Sequence, residues 1–117
     1  MTERLLLLLD NKDTLALQNF YQTFNVDLID WKLIYQSFQD NFVNSDCLNL
    51  MGFMYEHGYG FSQNSDLSFH HYQMSADAGN MIGLNNLGVS YEKGIGTIVN
   101  LEKACGCYQR ASELGCS

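Results

Sequence analysis

The stretch LGVSYEKGIG, Leu87 to Gly96, sets three glycines around a tyrosine and a Glu-Lys pair inside a helix-like apolar pattern. Glycine weakens a helix by about 1 kcal/mol relative to alanine, so three of them within ten residues need a structural reason. The stretch MGFMYEHGYG, Met51 to Gly60, has the same arrangement 36 residues earlier. The chain therefore contains this pattern twice.

The two stretches belong to a longer repeat. Leu48–Asn80 aligns without a gap on Leu84–Cys116, and 11 of the 33 aligned pairs are identical. Chance would give about two identities at a fixed register. A period of 36 residues is typical of the two-helix unit of a helical solenoid.

The shared glycines and asparagines predict where the helices of each unit begin and end. Gly58 and Gly94 are expected to end the first helix in a left-handed conformation, and the glycines two residues later permit a tight turn. Asn64 and Asn100 are well placed to cap the second helix. In the second copy the first helix is expected over about residues 82–93.

One further glycine, Gly52 in the first unit and Gly88 in the second, falls inside the first helix. A missing side chain there lets a neighbouring helix approach closely, which offsets the lost helix propensity. We therefore predict one packing glycine and two turn glycines in each unit.

The first 44 residues lack glycine and lack the repeat. TERLLLLLD predicts a short leading helix, and Asp13 or Thr14 would cap a second helix. Two apolar stripes at helical spacing follow, and we interpret both as core rather than as a binding platform. The stripes consist of Leu17, Phe20, Tyr21 and Phe24, and of Trp31, Ile34, Tyr35, Phe38 and Phe42. Residues 1–44 are interpreted as an N-terminal helical capping segment, 45–80 as the first repeat and 81–117 as the second.

The repeated unit resembles the SEL-one-like repeat, a relative of the tetratricopeptide repeats. The segments are CLNLMGFMYEHGYGFSQNSDLSFHHYQMSADAG, Cys47 to Gly79, and GLNNLGVSYEKGIGTIVNLEKACGCYQRASELG, Gly83 to Gly115. The matches include Leu87-Gly88, the paired turn glycines, the tyrosines and the closing glycines. The resemblance implies an all-α fold, a right-handed α-solenoid of antiparallel helix pairs. It also implies a non-catalytic unit, since members commonly act as adaptors that hold proteins or peptides together.

The composition narrows the classes of partner. Six Lys and Arg against 13 Asp and Glu give a net charge of −7. Such a chain lacks the basic patch that nucleic-acid binding needs, and an anionic membrane surface would repel it. The five-residue run Leu5–Leu9 is too short to span a bilayer. The same run is short for a signal-peptide core and no small-residue cleavage site follows it, so we expect a cytoplasmic protein, with export by a route without a cleavable leader as the alternative. The four cysteines match no metal or redox spacing, so we expect free thiols.

No catalytic residue, metal site or cofactor is predicted. His70 and His71 point about 100° apart on a helix and do not readily share one ligand. His71 is interpreted as a semi-buried packing residue, and His57 as a solvated or carbonyl-capping side chain. A third and least favoured hypothesis is a small hydrolase or metal protein, in which Cys105, Cys107 and Cys116 would bind zinc. One tightly bound zinc per chain would revive that hypothesis.

A partner-binding face is predicted on the first helices, which line the concave surface in related solenoids. Helical spacing aligns three residues of each unit on one face. These residues are Asn49, Phe53, Glu56, Asn85, Val89 and Glu92. The alternative is that the two glutamates are simply solvated or pair with neighbours such as Lys93.

Two functional hypotheses follow. The first is a short helical-repeat adaptor or scaffold that binds a protein or peptide, and the second is a regulatory subunit or effector that inhibits or localises one enzyme. The last unit has no further helix to cover it, so an exposed apolar face there would favour a homo-oligomer or a partner helix. A fragment of a longer repeat array would leave the same exposed face.

Overall fold

The structure is a computed structural model that describes residues 1–40 and 44–115. Over that range the chain forms seven α-helices, one 3-10 turn at Val26–Leu28 and no strand. The helices are α1 (Thr2–Asp10), α2 (Thr14–Thr23), α3 (Trp31–Asp40), α4 (Ser45–His57), α5 (Ser65–Asp77), α6 (Met81–Lys93) and α7 (Leu101–Gly115). The pairs α4–α5 and α6–α7 are the two repeated units.

The predicted ends of the repeat helices are confirmed. Gly58 and Gly94 follow α4 and α6, each with φ of 74° in the left-handed region. The Asn64 side chain accepts a hydrogen bond from the Leu67 N–H at 3.1 Å. Asn100 caps α7 in the same way, through the Lys103 N–H at 3.0 Å. Both asparagines thus satisfy an amide that a helix start leaves without a backbone partner.

The packing role of the glycines inside the first helices is also confirmed. A β-carbon added at Gly52 would lie 2.6 Å from Cδ1 of Tyr72 on α5. A β-carbon at Gly88 would lie 2.8 Å from Cε1 of Tyr108 on α7. In both units a tyrosine ring of the second helix therefore occupies the space that a larger residue would fill.

The first helices of the chain join the core of the repeats. Leu5, Leu17 and Ile34 are fully buried in one cluster with Leu50 and Met54 of α4. The leading helix predicted from TERLLLLLD is α1, and the cap of α2 is Asp13, whose carboxylate accepts from the Ala16 N–H at 3.0 Å. Phe42, the last member of the second predicted stripe, lies outside the described residues.

One contact between α3 and the first repeat resembles a contact between α5 and the second repeat. The backbone carbonyl of Trp31, at the start of α3, lies against Gly60 in the turn after α4. The backbone carbonyl of Ser65, at the start of α5, lies against Gly96 in the turn after α6. Both glycines have φ above 70° and leave no room for a side chain. The N-terminal segment thus reproduces one local contact of the repeat interface.

A shared carboxylate ties α2, α4 and α6 together at their N-terminal ends. Asp46 is buried and accepts a hydrogen bond from the Thr14 hydroxyl at 3.0 Å. It also accepts from Nδ2 of Asn80 at 2.7 Å. The Asn80 oxygen in turn caps α6 by accepting from the Ile82 and Gly83 amides. Three helices are therefore fixed relative to one another by one charged, hydrogen-bonded side chain.

Candidate functional site

Asn49, the first member of the predicted binding face, is buried and makes a hydrogen bond within the protein. It is only 3% exposed, and its Oδ1 accepts a hydrogen bond from Nδ2 of Asn86 at 2.7 Å. Asn86 lies on α6, so this bond links the first helices of the two units. The equivalent residue of the second unit, Asn85, is half-buried on α6.

Phe53 lies one turn further along α4 and is half-buried among aromatic rings. Its ring centroid is 6.1 Å from that of Phe24 and 6.0 Å from that of Trp31. The His57 ring is closer, at 4.5 Å. The N-terminal segment thus covers this part of α4. Val89, the counterpart of Phe53, is half-buried on α6.

The two glutamates of the predicted face are held by the tyrosines of their own units. The Tyr72 hydroxyl donates to Oε1 of Glu56 at 3.0 Å, and the Tyr108 hydroxyl donates to Oε1 of Glu92 at 2.9 Å. Glu56 is half-buried, whereas Glu92 is exposed. A hydrogen bond to a carboxylate is charge-assisted, so each bond restrains its glutamate in one orientation.

These contacts change the acidity of the tyrosines. Burial and the neighbouring Glu92 raise the pKa of Tyr108 to about 12. Burial, together with the charge of Glu56, raises the pKa of Tyr72 well above the ordinary tyrosine value. Both effects disfavour a second negative charge beside the carboxylate, so both hydroxyls remain donors over the neutral range.

A cavity of about 160 Å³ opens between α2, α4 and α6. Two members of the predicted face, Asn49 and Phe53, line it, whereas Asn85, Val89 and Glu92 do not. The remaining walls are mostly apolar. They consist of Tyr21, Phe24, Leu50, Ile82 and Asn86.

The repeats match a known family. The model of the Sel1 repeat matches residues 45–80 and 82–116, which is more than half of the chain. The chain belongs to the Sel1 repeat family. The crystal structure of a Sel1 repeat protein from Oxalobacter formigenes is similar to it, with 36% sequence identity and a TM-score of 0.59. That similarity covers 60% of this chain and 28% of the other, so this chain spans little more than a quarter of that protein. No curated protein matches.

The family membership confirms the fold expected from the sequence. The all-helical arrangement of antiparallel pairs is the α-solenoid of Sel1 repeat proteins. Sel1 repeats are generally protein–protein interaction modules. The six face residues lie on the first helices of these repeats, and their role in binding stays a prediction.

Sequence periodicity did not identify all residues around the cavity. Tyr21 and Phe24 precede the Sel1 repeats. Both pack against the core cluster, as the sequence predicts, and both are also half-buried at the cavity wall. The Tyr21 hydroxyl is buried and has no hydrogen-bond partner within the described residues. Burial also raises the pKa of this phenol above the ordinary tyrosine value. Asn86 was not included in the predicted face, although it directly follows Asn85, which was included.

His71 is a half-buried packing residue of α5, whereas His57 is exposed at the end of α4. Nδ1 of His71 is 2.7 Å from the Leu67 carbonyl oxygen, and its ring lies 5.2 Å from Tyr55. The exposed His57 contacts Phe53 and, at 3.5 Å, Glu56. Within residues 1–40 and 44–115, no three His, Cys, Asp or Glu side chains are grouped to hold a metal ion. Cys116, one of the thiols considered for zinc, lies outside the described residues.

Within residues 1–40 and 44–115, none of the helices combines the length and the apolar character needed to cross a bilayer.

Proposed function

We propose that this chain is a non-enzymatic adaptor that holds a protein or peptide segment on the face formed by α4 and α6. The proposal assigns the contact to the members of that face that are not buried, which are Phe53, Glu56, Asn85, Val89 and Glu92. Its general basis is the family, whose members are usually protein-binding modules.

The observation that carries the proposal is that the face residues of α6 are accessible to a partner, and that one of them is held in a fixed orientation. Asn49 is hydrogen-bonded to Asn86 in the interior. Asn85 and Val89, by contrast, are only half-buried. Glu92 is exposed, and the Tyr108 hydroxyl restrains its carboxylate. A restrained polar side chain loses less rotamer entropy when a partner binds, which favours affinity.

Charge supports a basic partner segment. The chain carries a net charge of −7, and both units present a glutamate on the proposed face. Complementary charge speeds encounter and fixes the register of a bound segment. We therefore expect a partner segment with Lys or Arg beside the residues that contact Asn85 and Glu92.

The proposal includes a reducing compartment such as the cytoplasm. Cys47, Cys105 and Cys107 are free thiols. Burial raises the pKa of the Cys47 thiol, which keeps it protonated and unreactive. Free cysteines are the usual state in compartments where glutathione and thioredoxin act.

Selection from a random peptide library tests this function. We expect the full chain to enrich basic peptides that bind saturably in calorimetry. The double variant Asn85→Ala, Glu92→Gln should weaken binding by about tenfold or more, since two face contacts are lost. A matched control, Gln109→Ala with Glu113→Gln on the exposed side of α7, should bind as the wild type does. Failure to select any saturable peptide, or equal affinity for both variants, would overturn the proposal.

A further inference from the structure

The geometry points to the cavity between α2, α4 and α6 as an anchor pocket for one bulky apolar side chain of a Lys- or Arg-flanked peptide. This inference rests on the proposed function and adds the kind of residue that the partner inserts. It concerns a site made jointly by the repeats and by the segment that precedes them.

The size and lining of the cavity fit one such side chain. Its volume is about 160 Å³. A protein cavity of about 150 Å³ lined by apolar side chains is large enough to bind benzene. Apolar walls come from Phe24, which directly follows α2, from Leu50 on α4 and from Ile82 on α6. A phenylalanine or leucine side chain therefore matches both the volume and the chemistry of the space.

The polar part of the wall suits a peptide main chain. The bond between Asn49 and Asn86 uses the Asn49 oxygen and one N–H of Asn86. The Asn49 amide nitrogen remains as a donor, and the Asn86 oxygen remains as an acceptor. An apolar side chain in the cavity would bring its own peptide groups beside this pair. Specific pockets commonly combine apolar walls with a few polar groups in this way.

The negative charge near the pocket favours basic residues on either side of the peptide's anchor residue. Glu56 follows Phe53 by three residues on α4 and thus lies on the same face as this wall residue. Its carboxylate is restrained by the Tyr72 hydroxyl. Together with the net charge of −7, this favours Lys or Arg on either side of the anchor residue.

The pocket depends on the segment that precedes the repeats, because α2 forms one side of it. Tyr21 and Phe24 lie outside both matched repeats. At the position of Phe53 the second unit has the smaller Val89, which does not line a wall of this cavity. The capping segment thus contributes two of the seven residues that shape the pocket.

Methyl NMR with defined short peptides tests the inference on the full chain. The probes are N-acetyl-Lys-Phe-Lys-amide, its Lys-Ala-Lys counterpart and its Glu-Phe-Glu counterpart. We expect the Lys-Phe-Lys peptide to shift the methyl signals of Ile82 and Leu50 saturably. It should bind about tenfold or more tightly than Lys-Ala-Lys, since burial removes the apolar surface of the Phe side chain from water. Glu-Phe-Glu should bind more weakly than Lys-Phe-Lys, and the difference should shrink at high salt.

Two variants that fill the pocket, and one that does not, localise the effect. Ile82→Phe adds bulk to a cavity wall and should abolish the methyl shift at Leu50. Asn86→Leu, at a half-buried wall position, should also abolish it and serves if Ile82→Phe unfolds the chain. Ile98→Phe makes the same substitution at a residue that is 83% exposed and should bind as the wild type does.

The outcomes separate this inference from the proposed function. Equal binding of the Phe and Ala peptides, or unchanged binding by both pocket-filling variants, would overturn the anchor pocket. If basic peptides selected from a library still bind through Asn85 and Glu92 in that case, the proposed function survives without it. If no library peptide binds but Lys-Phe-Lys still shifts Ile82 and Leu50, the pocket stands and the proposed adaptor face on α6 fails.

Discussion

The ring of Tyr72 lies directly against the α-carbon of Gly52, so close that a β-carbon would come 2.6 Å from its Cδ1 atom. The hydroxyl at the other end of the same ring donates to Glu56. Tyr108 repeats both contacts with Gly88 and Glu92. In each repeat one tyrosine therefore fixes the distance between two helices and orients a carboxylate of the proposed face.

The substitution Gly52→Ala should destabilise the fold by about 2 kcal/mol. Tyr72 is 1% exposed and has no room to withdraw from a new methyl group. Gly88→Ala should cost less, because Tyr108 is only half-buried and can move outward. Urea unfolding followed by circular dichroism measures both values. Equal stability of Gly52→Ala and the wild type would contradict the close packing of α4 on α5.

A glycine-to-alanine substitution at Gly106 should stabilise the fold rather than destabilise it. Gly106 lies in the middle of α7, and an added β-carbon would meet no atom within 4 Å. Alanine is better than glycine by about 1 kcal/mol inside a helix. Gly106→Ala should thus raise the urea midpoint, and it is the matched control for Gly52→Ala. A lower midpoint would mean that α7 packs differently around this residue.

Replacing Tyr21 with phenylalanine should leave the fold as stable or stabilise it by up to about 1 kcal/mol. Within the described residues its buried hydroxyl lacks a hydrogen-bond partner, and burying such a group costs free energy. Removing the hydroxyl keeps the ring that lines the cavity. Thermal unfolding of Tyr21→Phe beside the wild type measures the change. A loss of more than about 1 kcal/mol would show that the hydroxyl makes a stabilising contact.

The stability of the protein should fall as pH rises from about 10 to about 12. The pKa of Tyr108 is raised from 10.0 to about 12 in the folded chain. Over that window the unfolded chain loses the phenolic proton while the folded chain keeps it, so the folded chain binds more protons and is destabilised by rising pH. Below pH 10 the contribution of this group is fully present. Tyr72 acts in the same direction.

Urea midpoints at a series of pH values between 8 and 12, for the wild type and for Tyr108→Phe, measure this dependence. The variant should show a shallower loss of stability, because the group with the raised pKa is gone. Identical slopes for the two proteins would contradict the hydrogen bond between Tyr108 and Glu92.

The sequence was sufficient for the repeats because glycine and asparagine mark local geometry. Gly58 and Gly94 end helices in a conformation that other residues adopt poorly, and Asn64 and Asn100 cap helices through a bond to a residue three positions away. Such constraints act over a few residues, so their spacing in the chain reports them directly.

The site was predicted less completely because it depends on contacts between distant segments. The spacing of Asn49 and Phe53 indicated a shared face of α4, but nothing in it showed that α2 would cover that face. The bond from Asn86 to Asn49 joins residues 37 positions apart. Periodicity also made Tyr21 and Phe24 look like ordinary core residues, since an amphipathic stripe does not distinguish a filled interior from the wall of a cavity.

The most direct test of the adaptor proposal is an NMR map of where a library-selected basic peptide binds on the 117-residue chain. The proposal predicts saturable shifts of the amide and side-chain signals of Asn85, Val89 and Glu92 on α6, together with those of α4. The exposed residues of α7, such as Gln109, should remain unchanged. Shifts confined to α7 and α5, with the signals of Asn85 and Glu92 unaffected at saturation, would contradict it.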